Sequence, residues 1–192
     1  PESGSWCPAM AAPALTGVVR VGVGVIVLDA RGRVLVGERL ASHGSGRLAF
    51  PGGHLELGES FARCAAREVA EETGLQVGEG VHVATTNDVM PADGKHYVTV
   101  FVLATAPPGA APRNLEPHKC AGWAWVPWAA IQAEARKGAA GRLFTPVVNL
   151  VEGGYRPPGP VEAHFRLWRA GKRPIWPLAP GAAGPLALAA AA

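Results

Sequence analysis

Residues 53–75, GHLELGESFARCAAREVAEETGL, carry the most informative pattern in the chain. Its part from 60 to 73 predicts a helix, because Ser60 is a preferred residue at a helix start and Gly74 is typical of the position just after a helix end. Small apolar side chains recur at helical spacing and predict the face that packs against a sheet. The members of that predicted face are Ala62, Ala66, Val69 and Ala70.

Three glutamates lie on the roughly opposite face of this predicted helix: Glu68, Glu71 and Glu72. Carboxylates near the negative end of a helix dipole repel one another, so they do not stabilise the helix by themselves. A divalent cation reverses this, since Mg²⁺ prefers carboxylate oxygens completed by water and substrate phosphates. Arg67, four residues before Glu71, can hold one carboxylate in place. Taken alone, three such glutamates are more typical of a solvated helix face than of a metal site.

The rest of the chain predicts an α/β protein with a mixed sheet. Strands are predicted at 18–28, 33–39, 75–89, 96–105 and 123–126, and further helices at 128–137 and 142–152. Turns are predicted at 29–32 and at Asp93-Gly94, and the glycine-rich stretch 40–53 predicts a loop. Hairpins combined with few helices favour a mixed sheet that the helices cover.

The length of 192 residues favours one domain, predicted at 18–155 between a flexible segment 1–17 and a Pro/Gly/Ala-rich tail 156–192, disordered in part.

The net charge of +3 provides no basic stripe, which argues against a nucleic-acid polymer as partner. No apolar run is long enough for a membrane span. Three cysteines without a CxxC pair argue against zinc and a disulfide framework. With no secretory signal visible, the cytoplasm is the default location, with an organelle left open.

Residues 53–75 match the Nudix box in full: Gly, five residues, Glu, seven residues, then Arg-Glu-apolar-any-Glu-Glu-any-Gly-apolar. The matching positions are Gly53, Glu59, Arg67, Glu68, Val69, Glu71, Glu72, Gly74 and Leu75. The segments GVGVIVLD, FPGGHLELGES, HYVTV and WAWVPW occur around it in the expected order. The chain therefore resembles the Nudix hydrolases, and within them the MutT-like eukaryotic nucleotide diphosphatases, which include a human enzyme acting on thioguanine nucleotides and plant cytosolic relatives.

This resemblance implies an α/β/α sandwich around a mixed β-sheet, frequently as a homodimer, and metal-assisted hydrolysis with Mg²⁺, for which Mn²⁺ is a possible substitute. It implies metal ligation by Glu68, Glu71 and Glu72. It implies catalytic roles for Glu68, Glu71 and Arg67, with a glutamate of the box taking the proton from the attacking water. Glu59 would brace the loop below the helix, and Gly53 would permit a sharp turn that brings the backbone near the phosphates.

The residues implied in substrate binding are Arg39, Gly52, Gly53, His54 and Thr99. Arg39 would point at the phosphates, with a surface ion pair as the alternative. His54 would contact the metal or a phosphate, with a solvated loop position as the alternative. Thr99 would line a base pocket, with ordinary strand packing as the alternative. Cys64 is expected to be a small buried hydrophobe.

The expected substrate is a small molecule, a nucleoside triphosphate such as dGTP or 8-oxo-dGTP, cleaved to a monophosphate and pyrophosphate. In the related nucleotide diphosphatases, a glutamine and an aromatic residue are expected at positions that contact the base. This chain departs from that pattern at Ala49, Thr145 and Pro146. Another organic diphosphate therefore stays open as substrate, either dihydroneopterin triphosphate or a prenyl diphosphate. A non-catalytic nucleotide-binding module is the third alternative.

Overall fold

The structure is a computed structural model that describes residues 17–40 and 43–158. Nearly all of the two predicted flanking segments lies outside the described residues. The strands are β1 (Arg20–Leu28), β2 (Arg33–Arg39), β3 (Leu48–Ala49), β4 (Gly52–His54), β5 (Val81–Met90), β6 (Lys95–Thr105) and β7 (Cys120–Pro127). The helices are α1 (Phe61–Thr73), α2 (Trp128–Ala135) and α3 (Thr145–Glu152), with short 3₁₀ segments at Pro91–Asp93 and Gly138–Ala140.

The seven strands form one mixed sheet around β1. Along its whole length β1 pairs in parallel with β6, which in turn pairs antiparallel with β5. On its other side β1 pairs antiparallel with β4 and, at its end, with β2. Strands β3 and β7 both pair antiparallel with β2. The predicted α/β class with a mixed sheet is confirmed.

Helix α1 covers one face of this sheet. Alternate residues of β1 point toward it, and Val23, Val25 and Val27 form a buried cluster with Val69 and other residues of the helix. Burying a valine side chain contributes about 1.5–3 kcal/mol, so this contact fixes the helix on the sheet. The helix also begins and ends as predicted: Ser60 Oγ accepts a hydrogen bond from a first-turn amide, and Gly74 has φ 70°.

The predicted apolar face of α1 is wrong in part. The buried residues of the helix are Cys64, Ala65, Val69 and Thr73, whereas Ala66 is exposed. The helix carries alanine on several sides, and alanine fits a buried or an exposed position equally well. Val69, the one large apolar residue of the predicted set, is the member whose burial was predicted correctly.

Helices α2 and α3 lie away from α1, with α3 packed against β5. The buried residues of α3 are Pro146, Val147 and Leu150. This helix begins at Thr145, three residues later than predicted. The predicted loop 40–53 contains the two short strands β3 and β4, which are too short to show an alternating pattern. Among the described residues, no helix has both the length and the apolar character needed to cross a bilayer.

Candidate active site

A cavity of about 510 Å³ opens beside the acidic end of α1 and continues toward α3. We call it the cleft. Side chains or backbone of every site residue predicted from the sequence line it: Arg39, Gly52, Gly53, His54, Arg67, Glu68, Glu71, Glu72 and Thr99. The fold therefore brings together residues that are up to 60 positions apart in the chain.

Glu68 and Glu72, one helical turn apart, are the two glutamates held inside the cleft. Only 14% of the Glu68 side chain is exposed, against 54% for Glu71 at the rim. Burial raises the pKa of Glu72 to about 8, and the neighbouring charges of Glu68 and Glu116 act in the same direction. Burial also raises the pKa of Glu68. The three glutamates thus share the cleft but not one environment, because Glu71 stays largely in solvent.

Arg67 connects the helix to the loop that precedes it. Its guanidinium donates to both carboxylate oxygens of Glu59 at 2.9 and 3.0 Å. It also donates to Glu68 Oε1 at 2.7 Å and to Glu71 Oε2 at 3.3 Å. The bond with Arg67 lowers the pKa of Glu59 to about 2. A paired, bidentate guanidinium restrains the carboxylates it contacts, so Arg67 fixes the direction in which Glu68 presents its free oxygen.

The two glycines of β4 lie against the acidic residues. The backbone amide of Gly52 donates to Glu72 Oε2 at 3.1 Å. It is Gly52, with φ 148°, that has the backbone conformation favouring glycine, and not Gly53, for which the sharp turn was predicted. A Cβ atom at Gly53 would overlap the Glu68 carboxylate. Gly53 is therefore required by the close approach of a side chain rather than by its own backbone angles.

The acidic residues fit a divalent cation bound together with its substrate. Glu68 and Glu72 are desolvated carboxylates, and their hydrogen bonds use one oxygen of each. The described part of the chain holds no group of three or more His, Cys, Asp or Glu residues that converges as a complete metal cage. Mg²⁺ is usually held by one or two carboxylates and completes its shell with water and substrate phosphates, so this open arrangement suits it.

Arg39 supplies positive charge on the opposite wall. Its Nε donates to the carbonyl oxygen of His43 at 3.3 Å, and its guanidinium carbon lies 4.3 Å from the centre of the Phe144 ring. Burial lowers the pKa of Arg39. Among the described ion pairs none involves Arg39. A half-buried guanidinium that has a ring and a carbonyl for partners is well placed to bind an anion.

The far end of the cleft is aromatic, and most of it was not predicted. His43 stacks on Tyr97 with ring centres 6.0 Å apart, and Phe144 lies 5.7 Å from His43. The Tyr97 hydroxyl lies 3.0 Å from His54 Nε2. Alternation along β6 could have found Tyr97, since it lies two residues before Thr99 and shares its face. His43 stands in a glycine-rich loop that shows no pattern.

The lining of the cleft also contains an ion pair between a lysine and a glutamate. Lys119 Nζ lies 2.7 Å from Glu116 Oε1 in the loop between β6 and β7. Main-chain bonds tie this loop to the end of α1, because the amides of Arg113 and Leu115 donate to the carbonyl oxygens of Thr73 and Glu72. Lys119 was not among the predicted site residues.

A mixed sheet that places desolvated carboxylates and a half-buried arginine in one cleft suits the binding of a phosphate ester together with a divalent cation. The family model of the NUDIX domain matches residues 18–146. The chain therefore belongs to the Nudix hydrolase family.

Solved structures agree with this assignment. The chain is similar to a MutT NUDIX hydrolase from Burkholderia pseudomallei, with 27% identity and a TM-score of 0.53, over 57% of this chain and 84% of that one. A MutT protein from Methanosarcina mazei matches with 18% identity and a TM-score of 0.59, over 83% of this chain and 100% of that one.

A third similar structure is a bifunctional NMN adenylyltransferase/ADP ribose pyrophosphatase from Francisella tularensis, solved with AMP and a manganese ion. It is 18% identical, with a TM-score of 0.56, over 72% of this chain and 42% of that one. The two structures at 18% identity support the fold.

Proposed function

We propose that this chain hydrolyses a diphosphate linkage of a nucleoside triphosphate of the dGTP or 8-oxo-dGTP type, with release of a nucleoside monophosphate and pyrophosphate. The observation that carries the proposal is the pairing of two desolvated carboxylates, Glu68 and Glu72, with the half-buried Arg39 in one cleft. Carboxylates on one wall suit a cation, and a guanidinium on the other suits phosphate.

In the proposed mechanism Glu68 and Glu72 would hold Mg²⁺, and Glu71 at the rim would be a further ligand, directly or through water. When bound, Mg²⁺ neutralises phosphate charge and makes a coordinated water more acidic. Arg67 keeps the Glu68 carboxylate oriented, and Glu59 keeps Arg67 in place. The free Oε1 of Glu71 accepts the proton of the attacking water, since its bond with Arg67 uses Oε2.

On the substrate side, Arg39 binds a phosphate oxygen. The backbone at Gly52 and Gly53 lies close to the phosphate chain. His54 positions Tyr97 through the bond between their side chains. Thr99, whose side chain is buried in the cleft wall, contacts the organic group. Holding the phosphate chain on both walls supplies orientation, which together with charge stabilisation provides most of the acceleration of phosphate hydrolysis.

Replacing Arg39 with methionine is expected to raise KM for a nucleoside triphosphate about tenfold or more, because a charge-assisted contact to phosphate contributes about 1.5–3 kcal/mol. The side chain keeps most of its packing against Phe144, so the fold should persist. Steady-state kinetics on both proteins measure the effect. Arg20→Met changes an exposed arginine outside the cleft and serves as the matched control, with KM unchanged. Equal KM values for Arg39→Met and the parent would contradict phosphate binding by Arg39.

Mg²⁺ is expected to raise the thermal midpoint of unfolding, because a ligand that binds only the folded state stabilises it by about 2.7 kcal/mol at a hundredfold excess over its Kd. The carboxylates that repel one another in the cleft gain a shared counter-ion. Calorimetry in MgCl₂ and in NaCl of equal ionic strength measures the shift. The double variant Glu68→Gln with Glu72→Gln should lose it. An equal shift in both proteins would place the cation elsewhere.

A second candidate substrate class is a prenyl diphosphate, favoured by the apolar part of the cleft wall. The residues that make this part apolar are Met90, Phe101, Trp123, Phe144 and Val147. Such a wall accepts a hydrocarbon chain as readily as a stacked base. Dihydroneopterin triphosphate, another organic diphosphate, shares the flat ring of a base. The phosphate-binding wall is the same for all three substrates.

Release of phosphate and pyrophosphate should therefore be measured over dGTP, 8-oxo-dGTP, dihydroneopterin triphosphate and geranyl diphosphate, with and without Mg²⁺. The proposed function expects the highest kcat/KM on a purine triphosphate and none without the cation. A preference for geranyl diphosphate would overturn the nucleotide assignment in favour of the second candidate. Binding without turnover of any compound would favour a non-catalytic module.

The relation to the eukaryotic MutT-like branch, the domain bounds at 18 and 155, a homodimer and a cytoplasmic location are further proposals that rest on the resemblance. Light scattering on the purified full chain tests the dimer. Imaging of a tagged full-length protein tests the location. A small molecule remains the proposed partner, since the chain carries a net charge of only +3.

A further inference from the structure

A buried carboxylate stands outside the proposed mechanism. The side chain of Asp88, on β5, has 0% of its surface exposed. Thr86 Oγ1 donates to its Oδ2 at 2.9 Å, and Asn149 Nδ2 donates to its Oδ1 at 2.7 Å. Both donors are neutral. Since a buried carboxylate is costly unless it is well hydrogen-bonded, each of these two bonds is strongly favoured over its loss.

One of the two donors, Asn149, belongs to α3, the helix whose residues line the cleft. Asn149 lies in the middle of α3, and its Nδ2 also reaches the carbonyl oxygen of Asn87 at 3.5 Å. Pro146, three residues before Asn149, lies on the same side of the helix and lines the cleft. Val147 lies on a different side of the helix and also lines the cleft. A bond at Asn149 therefore restrains the rotation of α3 about its axis, and with it the position of these two side chains.

On the sheet side, Asp88 also neighbours residues that line the cleft. Asp88 pairs directly across from Tyr97 in the β5–β6 register, and Met90 follows two residues later on the same face. Both Tyr97 and Met90 line the cleft. The Asp88–Asn149 bond thus joins the sheet wall and the helix wall of the aromatic end, whereas the acidic end of the cleft belongs to α1 and β4.

We propose that Asp88 and Asn149 form a latch that holds α3 in the position required to bind the organic group of the substrate, with a smaller effect on the binding of its phosphates, which α3 reaches only through the contact of Phe144 with Arg39. The latch residues are positioning residues, because neither lines the cleft. The proposal rests on the proposed function. It predicts that loss of the bond changes KM for a nucleotide far more than kcat, since the catalytic glutamates stand on elements that the latch does not hold.

The decisive variant is Asn149→Asp, which places two carboxylates face to face. KM for dGTP is expected to rise about tenfold, with kcat within about twofold, as for the loss of a contact that acts on binding alone. The inhibition constant of inorganic tripolyphosphate, which has no organic group, should change far less than KM for dGTP in excess Mg²⁺, because α3 reaches the phosphate site only through the contact of Phe144 with Arg39. The reversed pair, Asp88→Asn with Asn149→Asp, restores one donor and one acceptor and should return KM to within about twofold of the parent.

Thr86→Val is the matched control, because it removes the other hydrogen bond of Asp88 and leaves the bond to Asn149 in place, and its KM should not change. The latch is overturned if Thr86→Val and Asn149→Asp raise KM equally, if tripolyphosphate inhibition weakens in parallel, or if the reversed pair fails to recover. Should Asn149→Asp fold poorly, Asn149→Ala replaces it with the same expected KM.

Failure of the proposed function gives a different result. If the parent protein turns over no nucleotide, the hydrolase assignment falls, and calorimetric titration with dGMP then tests the latch alone. Weaker dGMP binding by Asn149→Asp, recovered in the reversed pair, supports the latch. Equal affinities, or a parent that binds no dGMP, overturn it.

Discussion

Replacing Glu68 with glutamine is expected to lower kcat about 10²–10³-fold, the range seen when a group that stabilises transition-state charge is removed. Glutamine keeps the volume of the side chain and can still accept the bond from Arg67 Nη1. It removes a negative charge that burial disfavours, so the folded state should lose no stability. Rates of phosphate release in saturating Mg²⁺, together with thermal unfolding of both proteins, measure the two effects.

Glu79→Gln provides the control for this substitution, because Glu79 is an exposed glutamate beyond the end of α1 and outside the cleft. It should retain the parental rate. A near-parental rate in Glu68→Gln would remove Glu68 from the proposed metal site. A low rate accompanied by a large drop in the thermal midpoint would instead mean that the side chain serves the fold.

Gly53→Ala is expected to lower kcat by about 10²-fold although it adds only one methyl group, since misplacing a reacting group by about 1 Å costs about this much. The added carbon would overlap the Glu68 carboxylate, which must turn away or push β4 off the helix. Either movement breaks the alignment that Arg67 imposes. Kinetics in increasing Mg²⁺ should show a weaker apparent affinity for the cation.

Gly78→Ala tests whether adding a methyl group to a glycine is harmful in itself. The nearest atom to a Cβ at Gly78 would be 3.7 Å away, an ordinary contact, and the residue has no backbone angle that requires glycine. It should retain the parental rate. Full activity in Gly53→Ala would mean that the Glu68 carboxylate has room to move, which the close approach of β4 and α1 argues against.

The acidic half of the site could be predicted from sequence because it is local. Ser60 and Gly74 fix both ends of α1, and the spacing of Glu68 and Glu72 places them one turn apart whatever the rest of the chain does. What the spacing could not show is which glutamate is buried. The difference between Glu68 and Glu71 arises from β4 and Arg67, which lie on one side of the helix.

Apart from Tyr97, which the alternation along β6 could have indicated, the aromatic half could not be predicted because it is assembled from distant segments. His43, Tyr97 and Phe144 come from a loop, a strand and the start of a helix, and each is an ordinary residue in its local context. The departures noted at Thr145 and Pro146 acquire a physical meaning only in the fold. Pro146 lines the cleft directly, whereas Thr145 does not.

The parallel pairing of β1 with β6 also governs when the protein can fold during synthesis. Arg20 pairs with Tyr97 and Leu28 with Thr105, so the central ladder joins segments about eighty residues apart. The chain past Thr105 must leave the ribosome before that ladder can form. Until then, only the hairpin with β2 and helix α1 can cover the valines of β1. Such distant pairing slows folding and prolongs the exposure of apolar strands. Chaperone demand should therefore peak during synthesis of the segment between β1 and β6.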